Sequence, residues 1–312
     1  MTQRPGRPAR TVFLGSGDFA VPILDALAGS PAVMLVAVVT TPPRPAGRDA
    51  ALRPTPVALR AEALGLPVLT PERLRDPAAQ ATIAAVAPDL VVLADYGRIV
   101  PQALLDLPPH GALNLHPSLL PRHRGATPVP AAIASGDAQT GVSLMRMDAG
   151  VDTGPLVAHV RVPLDGSERA PELEHRLALT AAALLIDALP AWLAGDLPAV
   201  AQAADGATLT RPLRREDARL DPARAAAELE RQVRAYQPWP GAWIEQPAGR
   251  LIVSAAHAVP TVTGSGDPGR IVALGEDLAL VTADGTLVLD IVQPAGKRPM
   301  TGRDHRRGRR DL

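Results

Sequence analysis

Short apolar and β-branched runs alternate with stretches of helical period over the first two-thirds of the chain. Residues 11–16 form such a run, followed by a glycine turn and an amphipathic stretch over 19–28. A second run covers 33–39. Helical stretches near 55–64 and 77–86 then alternate with runs at Val68 and at 90–93. An apolar run at 112–116, a helix near 127–134 and a strand over 141–147 follow, and an Ala/Leu-rich helix of about 170–194 closes the series. Strands alternating with helices predict an α/β fold with a doubly wound, mostly parallel sheet. Residues 196–214 lack a period and carry Gly195, Pro198, Gly206 and Pro212 at or near them, the pattern of a linker. Beyond it lies a helix near 223–235. Short runs at 250–259, 270–274, 278–283 and 286–292, separated by Gly and Asp turns, predict a small β-barrel. The expected division is 1–195, a linker 196–214, and 215–312.

Composition narrows the chemistry. Cysteine is absent, which removes disulfides, thiolate metal sites and a cysteine nucleophile. The seven histidines form no His-x-x-x-His or His-Glu-x-x-His pair, so no metal is expected. No apolar run approaches the ~18 residues of a membrane span, and residues 1–10 lack the apolar stretch of a secretory signal. A soluble, cytoplasmic protein is expected. Formal net charge is zero, yet the charge is uneven. Residues 297–312 hold Lys297, Arg298, Arg303, Arg306, Arg307, Arg309 and Arg310 against Asp304 and Asp311, and Arg4, Arg7 and Arg10 lie in the first ten residues. Basic segments of this kind suit phosphate contacts or serve as solvated tails.

The most informative segment is Gly111 to Gly125. Asn114 and His116 stand two positions apart on an apolar strand, so both side chains leave the same face. Pro117 stops the strand, at the sheet edge where open α/β folds place ligands. A second turn, Asp148-Ala149-Gly150-Val151-Asp152-Thr153-Gly154, follows the strand ending at Met147 and can hold Asp152 at that edge, with Asp148 as the competing carboxylate and plainer turn former. Asn, His and Asp on neighbouring strand ends suit acyl transfer to an amine. The amide and a protonated imidazole stabilise an oxyanion, and the carboxylate orients the ring and takes the surplus proton. Gly15-Ser16-Gly17-Asp18-Phe19-Ala20 also fits a dinucleotide turn, but the confirming acid after the second strand is replaced by Thr40-Thr41-Pro42-Pro43-Arg44. Only a weak NADP reading through Arg44 survives there. Arg44-Pro45-Ala46-Gly47-Arg48 reads as an irregular exposed loop whose arginines can reach phosphates.

Together these segments resemble the folate-dependent formyltransferase family. The resemblance rests on Phe13-Leu14-Gly15 with Phe19-Ala20, Arg44 to Arg48, Tyr96-Gly97 with Pro101, and Asn114 to Gly125. It extends through Gly136-Asp137, Thr140-Gly141-Val142, Met147-Asp148 to Gly154, Pro238-Trp239-Pro240 and Gln293 to Lys297. It implies a Rossmann-like catalytic domain, a linker and an OB-like barrel that binds tRNA. The implied reaction moves a formyl group from 10-formyltetrahydrofolate to the α-amine of initiator methionyl-tRNA, in support of translation initiation. By carry-over, Asn114 binds the formyl oxygen, His116 stabilises the oxyanion, and Asp152 orients His116 and relays the proton. Ser118, Leu119, Leu120 and Pro121 are expected to line the folate site, with backbone near Tyr96 and Gly97 holding the pterin. Arg44, Arg48, Lys297 and Arg298 are the expected tRNA contacts, and the protein is expected to act as a monomer without a membrane. The chain departs from the pattern at four places: Asp95 replaces a small residue, Pro117 replaces the usual Gly, Asp49-Ala50-Ala51 stands where lysines are usual, and Pro222 stands where an aromatic is common.

Other readings lead to different experiments. An enzyme acting on glycinamide ribonucleotide needs only about the first 200 residues, so the predicted barrel counts against it. A formyltransferase acting on an amino-sugar nucleotide keeps both the triad and a C-terminal barrel and is the main alternative. A tRNA-binding module without catalysis leaves Asn114, His116 and Asp152 unexplained.

Overall fold

The computed structural model describes residues 7–46, 51–247, 249–260 and 266–308. In chain order the elements are β1 (Ala9–Gly15), α1 (Ala20–Gly29), β2 (Val33–Val39), β3 (Arg44–Ala46), β4 (Ala51–Arg53), α2 (Pro56–Ala63), β5 (Val68–Leu69), α3 (Pro77–Ala85), β6 (Leu90–Ala94) and α4 (Gln102–Leu105). Then come β7 (Ala112–His116), β8 (Arg124–Gly125), α5 (Pro128–Ser135), β9 (Gln139–Arg146), β10 (Leu156–Pro163), α6 (Ala170–Ala194) and β11 (Leu209–Thr210). A short 3-10 turn at Arg215–Ala218 leads to α7 (Ala226–Ala235), β12 (Trp243–Ile244), β13 (Leu251–Val259), β14 (Ile271–Leu274), β15 (Asp277–Val281), β16 (Thr286–Pro294), β17 (Met300–Thr301) and α8 (Gly302–Arg307). The chain divides into two compact units. One comprises Met1–Ala126, Thr140–Pro163 and Glu174–Thr210; the other comprises Thr127–Gln139, Leu164–Leu173 and Arg211–Leu312.

The first unit is built on a seven-stranded sheet of order β10-β9-β7-β6-β1-β2-β5. Pairings from β5 through β2, β1 and β6 to β7 are parallel, and β9 runs antiparallel to β7. Val12 and Leu14 of β1 pack with Val91 and Leu93 of β6, with Ile83 of α3, and with Leu104 and Leu105 of α4 in one apolar cluster. The alternate residue Phe13 is also buried, as are Ile23, Leu24 and Leu27 of α1. A strand apolar at every position is one covered on both faces. Each of these side chains contributes about 1.5–3 kcal/mol by leaving water.

The strand order reverses beside β1: the chain moves outward to β2 and β5, then returns to the other side of β1 as β6. The crevice at the carboxyl ends of β1 and β6 is therefore the topological switch point, where such sheets hold ligands. Two parts of the segment Arg44 to Arg53 form a strand pair, contrary to the expected irregular loop. Arg44–Ala46 and Ala51–Arg53 pair antiparallel, with Arg44 opposite Arg53. Proline, alanine and glycine carry little strand signal, so the ribbon was not legible as one.

In the second unit an antiparallel sheet runs β12-β13-β16-β15-β14, with β17 also on β16. Register shifts between Val253 and Ala256 bend β13 and curl the sheet into a half-barrel. Leu229 and Val233, four apart on α7, close its core against Leu251, Val253, Leu280, Leu287 and Leu289. Among the described residues no pairing joins the β12 and β14 edges.

Candidate active site

β7 carries the predicted pair. All five of its residues are buried, with Leu93 of β6 beside Asn114 on one side, and with Met145 and Ser143 of β9 beside Asn114 and His116 on the other. Asn114 and His116 are each 5% exposed. The turn after β9 brings Asp152 to them. Its Oδ1 accepts from Asn114 Nδ2 at 3.4 Å, and its Oδ2 lies 3.6 Å from His116 Nδ1. The backbone N–H of Gly125 donates to the same Oδ2 at 2.8 Å. Asp152 holds φ at +51°, a left-handed conformation that Asp and Asn tolerate better than most residues. Asp148, the competing carboxylate, instead closes its own turn by accepting from Gly150 N–H and the Thr153 hydroxyl.

The ring of His116 has a fixed orientation. Its Nε2 lies 2.9 Å from the carbonyl oxygen of His123. A carbonyl only accepts, so Nε2 carries a proton. Nδ1 is the nitrogen without a short bond, and it faces a carboxylate. A neutral ring would present a lone pair there, whereas the protonated ring donates at both ends.

The loop from Pro117 to Gly125 is held by bonds that involve few of its own side chains. Ser118 donates its hydroxyl to the Arg122 carbonyl at 2.7 Å and is buried, so that hydroxyl is committed within the loop. Ser143 of β9 donates to the Ser118 carbonyl and accepts from Leu120 N–H. Leu120 is buried, while Leu119 and Pro121 are half-buried. β8 pairs parallel with β11, and the backbone oxygen of Thr210 would stand 2.2 Å from any Cβ at residue 125. Gly125, at φ +98°, is what that approach permits.

Gln202 adds a second tie: its Nε2 donates to the carbonyls of Asp152 and Gly154, and its Oε1 accepts from the Arg124 guanidinium. Residues His123, Gly125 and Gln202 thus complete the cluster. His123 and Gly125 lie in the recognised motif, but Gln202 sits in a segment without any local signal.

On β6 the expected pterin residues follow the strand end. Tyr96 is 1% exposed, packs into the apolar cluster with Leu93 and Met147, and its buried hydroxyl has no partner. Burial pushes its phenol pKa up. Gly97 is exposed at φ +72°. Asp95 precedes them at φ +45°, in an exposed position on the chain. Desolvation by the surrounding protein, then the charges of Glu174 and Asp18, raise it to about 7. Glu174 is likewise raised, by burial and then by Asp18.

Three of the four cations expected at RNA lie among the described residues. Arg44 is exposed on β3, and Arg48 lies outside the described residues. Lys297 and Arg298 are exposed in the turn after β16, in the second unit. The described residues contain no cluster of three or more groups able to hold a metal ion.

A buried Asn–His–Asp cluster on the edge of a doubly wound sheet, followed by a curled antiparallel sheet, defines a class of group-transfer enzyme. Residues 9–189 match the formyl transferase family and residues 212–310 match its C-terminal domain. The chain belongs to the formyl transferase family. Among its relatives, a methionyl-tRNA formyltransferase of Rhizorhabdus wittichii is 47% identical over 302 residues, covering 96% of this chain and 95% of that protein. One from Roseiflexus sp. (strain RS-1) is 44% identical, covering 97% and 93%.

Solved structures share the fold at lower identity. WlaRD, a sugar 3N-formyl transferase crystallised with dTDP and 5-N-formyl-THF, superposes with a TM-score of 0.66 at 13% identity, over 94% of this chain and 100% of that one. HypX from Aquifex aeolicus in complex with tetrahydrofolic acid gives 0.61 at 18% identity, over 95% of this chain and 46% of that one.

Proposed function

We propose that the chain moves a formyl group from 10-formyltetrahydrofolate to the α-amine of methionyl-tRNA, the reaction that prepares the initiator for translation. The observation that carries this reading is the Asn114–His116–Asp152 cluster, in a chain similar over its whole length to methionyl-tRNA formyltransferases. The cluster fits a formyl donor meeting an amine. Asn114 Oδ1 is buried without a partner, and Nδ2 keeps one N–H beyond the one given to Asp152. A formyl oxygen and an amine N–H are the two groups that would satisfy this amide.

The geometry supports the following roles. As the amine nitrogen bonds to the formyl carbon, the carbonyl electron pair moves onto oxygen. Asn114 Nδ2–H and His116 Nδ1–H donate to that oxygen, while Nε2 stays on the His123 carbonyl and keeps the ring oriented. Asp152, held by Gly125 N–H, faces Nδ1 of the ring and receives the proton released by the attacking nitrogen. The proton then passes to the folate nitrogen as its bond to the formyl carbon breaks, and formyl-methionyl-tRNA leaves. Ser118 to Pro121 supply mainly backbone to the folate wall, and Tyr96 and Gly97 flank the pterin.

Arg44, Arg48, Lys297 and Arg298 are the RNA contacts in this reading, with 1–195 catalytic, 196–214 connecting and 215–312 binding tRNA. The protein acts as a cytoplasmic monomer. The test is transfer of labelled formyl from 10-formyltetrahydrofolate to methionyl-tRNA, run beside a dTDP-amino sugar. Formylation of the RNA is expected; formylation of the sugar alone would overturn the assignment.

A further inference from the structure

A tryptophan on the outer face of a sheet needs a reason to be dry. In the second unit Leu251 and Val253 of β13 belong to the apolar core, so Ile252 between them faces outward. Trp243 stands beside Ile252 in the β12–β13 pairing and shares that outer face, outside the core cluster. It is nevertheless only 8% exposed. Arg250 covers it, with the guanidinium carbon 4.2 Å from the ring centroid. We propose that Arg250, stacked on Trp243, is a preset contact for a backbone phosphate of the RNA acceptor. It is the centre of a basic strip that runs from Arg219 to Lys297 and Arg298. This inference rests on the reading of the chain as acting on methionyl-tRNA.

The stack is fixed from both sides. The indole N–H of Trp243 donates to the Arg215 carbonyl at 3.0 Å, and the Trp243 carbonyl accepts from Leu220 N–H at 2.8 Å. Arg250 precedes Ile252 by two residues, which makes it the diagonal neighbour of Trp243 on the same face, within reach of a long side chain. One further step of the same register sets Glu245 opposite Arg250. The two form no ion pair, and the guanidinium lies over the ring instead. An aromatic face attracts the cation without consuming its N–H donors. Arg250 is exposed, and among the described residues its side chain makes no hydrogen bond. Its planar fork of donors is suited to two phosphate oxygens at once, and a side chain already ordered loses less entropy on binding.

The neighbouring strands extend the positive charge. Arg219 bridges to Trp243 from the far side of β12. Across β13, Ile252 stands beside Gln293 of β16, whose Nε2 donates to the Lys297 carbonyl at 2.8 Å. A Cβ on Gly249 would lie 3.7 Å from that of Ala295, so the turn carrying Lys297 and Arg298 adjoins the residue before Arg250. All of these cations are exposed, and none has a side-chain hydrogen bond or ion pair among the described residues. Like charges on one sheet face repel each other, and a polyanion relieves that repulsion. Three strand spacings of about 4.8 Å make the strip about 14 Å long, more than one phosphate group fills. A nucleic-acid backbone suits that length better than a free phosphate ion.

The experiment measures methionyl-tRNA binding by the full chain, Arg250→Ala and Arg250→Lys from about 50 to about 200 mM salt, with folate binding as the folding control. Arg250→Ala is expected to weaken RNA binding about 5- to 10-fold at the lowest salt, and to reduce the slope of log K against log[salt] by about 1. KM for the RNA should rise in step. Arg250→Lys keeps the charge without the planar fork, so it should restore the slope and only part of the affinity. A loss in Arg250→Ala of equal size at every salt would make Arg250 a mere cover for Trp243 and overturn the proposal, as would no loss. Full affinity in Arg250→Lys would refute the stacked geometry. An unmodified chain that fails to formylate methionyl-tRNA would instead overturn the reading of its function.

Discussion

Asp152→Asn isolates the carboxylate's chemistry from its structural role. Asparagine keeps the volume and tolerates the left-handed φ of +51°, which alanine would strain. Its amide oxygen can still accept the 2.8 Å bond from Gly125 N–H, a contact worth about 1–1.5 kcal/mol once neutral. The amide NH2 must then face the side of Asn114 Nδ2, so two donors meet where a donor met an acceptor.

The negative charge opposite His116 Nδ1 disappears, and with it the group proposed to orient the ring and to receive the amine's proton. General acid–base groups contribute about 10²–10⁴ in rate, or about 2.7–5.4 kcal/mol at 1.36 kcal/mol per decade. We expect kcat to fall by about 10²- to 10³-fold. KM for the folate should move by less than about threefold, and Tm should drop by a few degrees at most. Single-turnover transfer of labelled formyl, with thermal unfolding as control, measures all three. Turnover within about threefold of the unaltered chain would show that Asp152 is a structural clasp and would refute the assigned role.

Three further outcomes are expected. Gly125→Ala places a Cβ against the Thr210 carbonyl at φ +98°; it should cost about 1–3 kcal/mol in urea unfolding and, by moving the N–H that holds Asp152, lower turnover as well. Arg44→Ala should raise KM for methionyl-tRNA while sparing folate, and the effect should shrink as salt rises; a salt-independent change would argue against a phosphate contact. Asp95 titrates higher in the fold than in the unfolded chain, so its ionisation opposes folding. The penalty is absent below about pH 4 and grows until pH passes about 7. Thermal scans should accordingly show Asp95→Asn more stable than the parent at pH 8 and equal to it at pH 4.

The readable parts of the chain were those where one local pattern decides the outcome. The predicted strand at 286–292 is observed at Thr286–Pro294, and the helix at 170–194 is Ala170–Ala194. Asn114 and His116 were legible because strand alternation fixes their common face. What stayed hidden depends on partners distant in sequence. Two-residue strands such as Arg124–Gly125 and Leu209–Thr210 exist only through each other, and neither has a period to detect. Gln202 carries no sign that it will bridge Arg124 to the carbonyls of Asp152 and Gly154. The raised pKa of Asp95 comes first from burial and then from Glu174 and Asp18, nearly eighty residues away on either side.

The pairing of β8 with β11 bears on how such a protein can be taken apart. Thr208 accepts from His123 N–H, and its own N–H bonds the Pro121 carbonyl; Gln202 holds the Asp152 turn from the same stretch. The segment that leads out of the first unit therefore braces the loop that orients His116. A fragment cut at 195 would keep every proposed catalytic side chain and lose the clamps behind them. A fragment meant to keep the orientation of His116 must therefore run at least through Thr210. In this architecture the seam between modules is also a component of the machine.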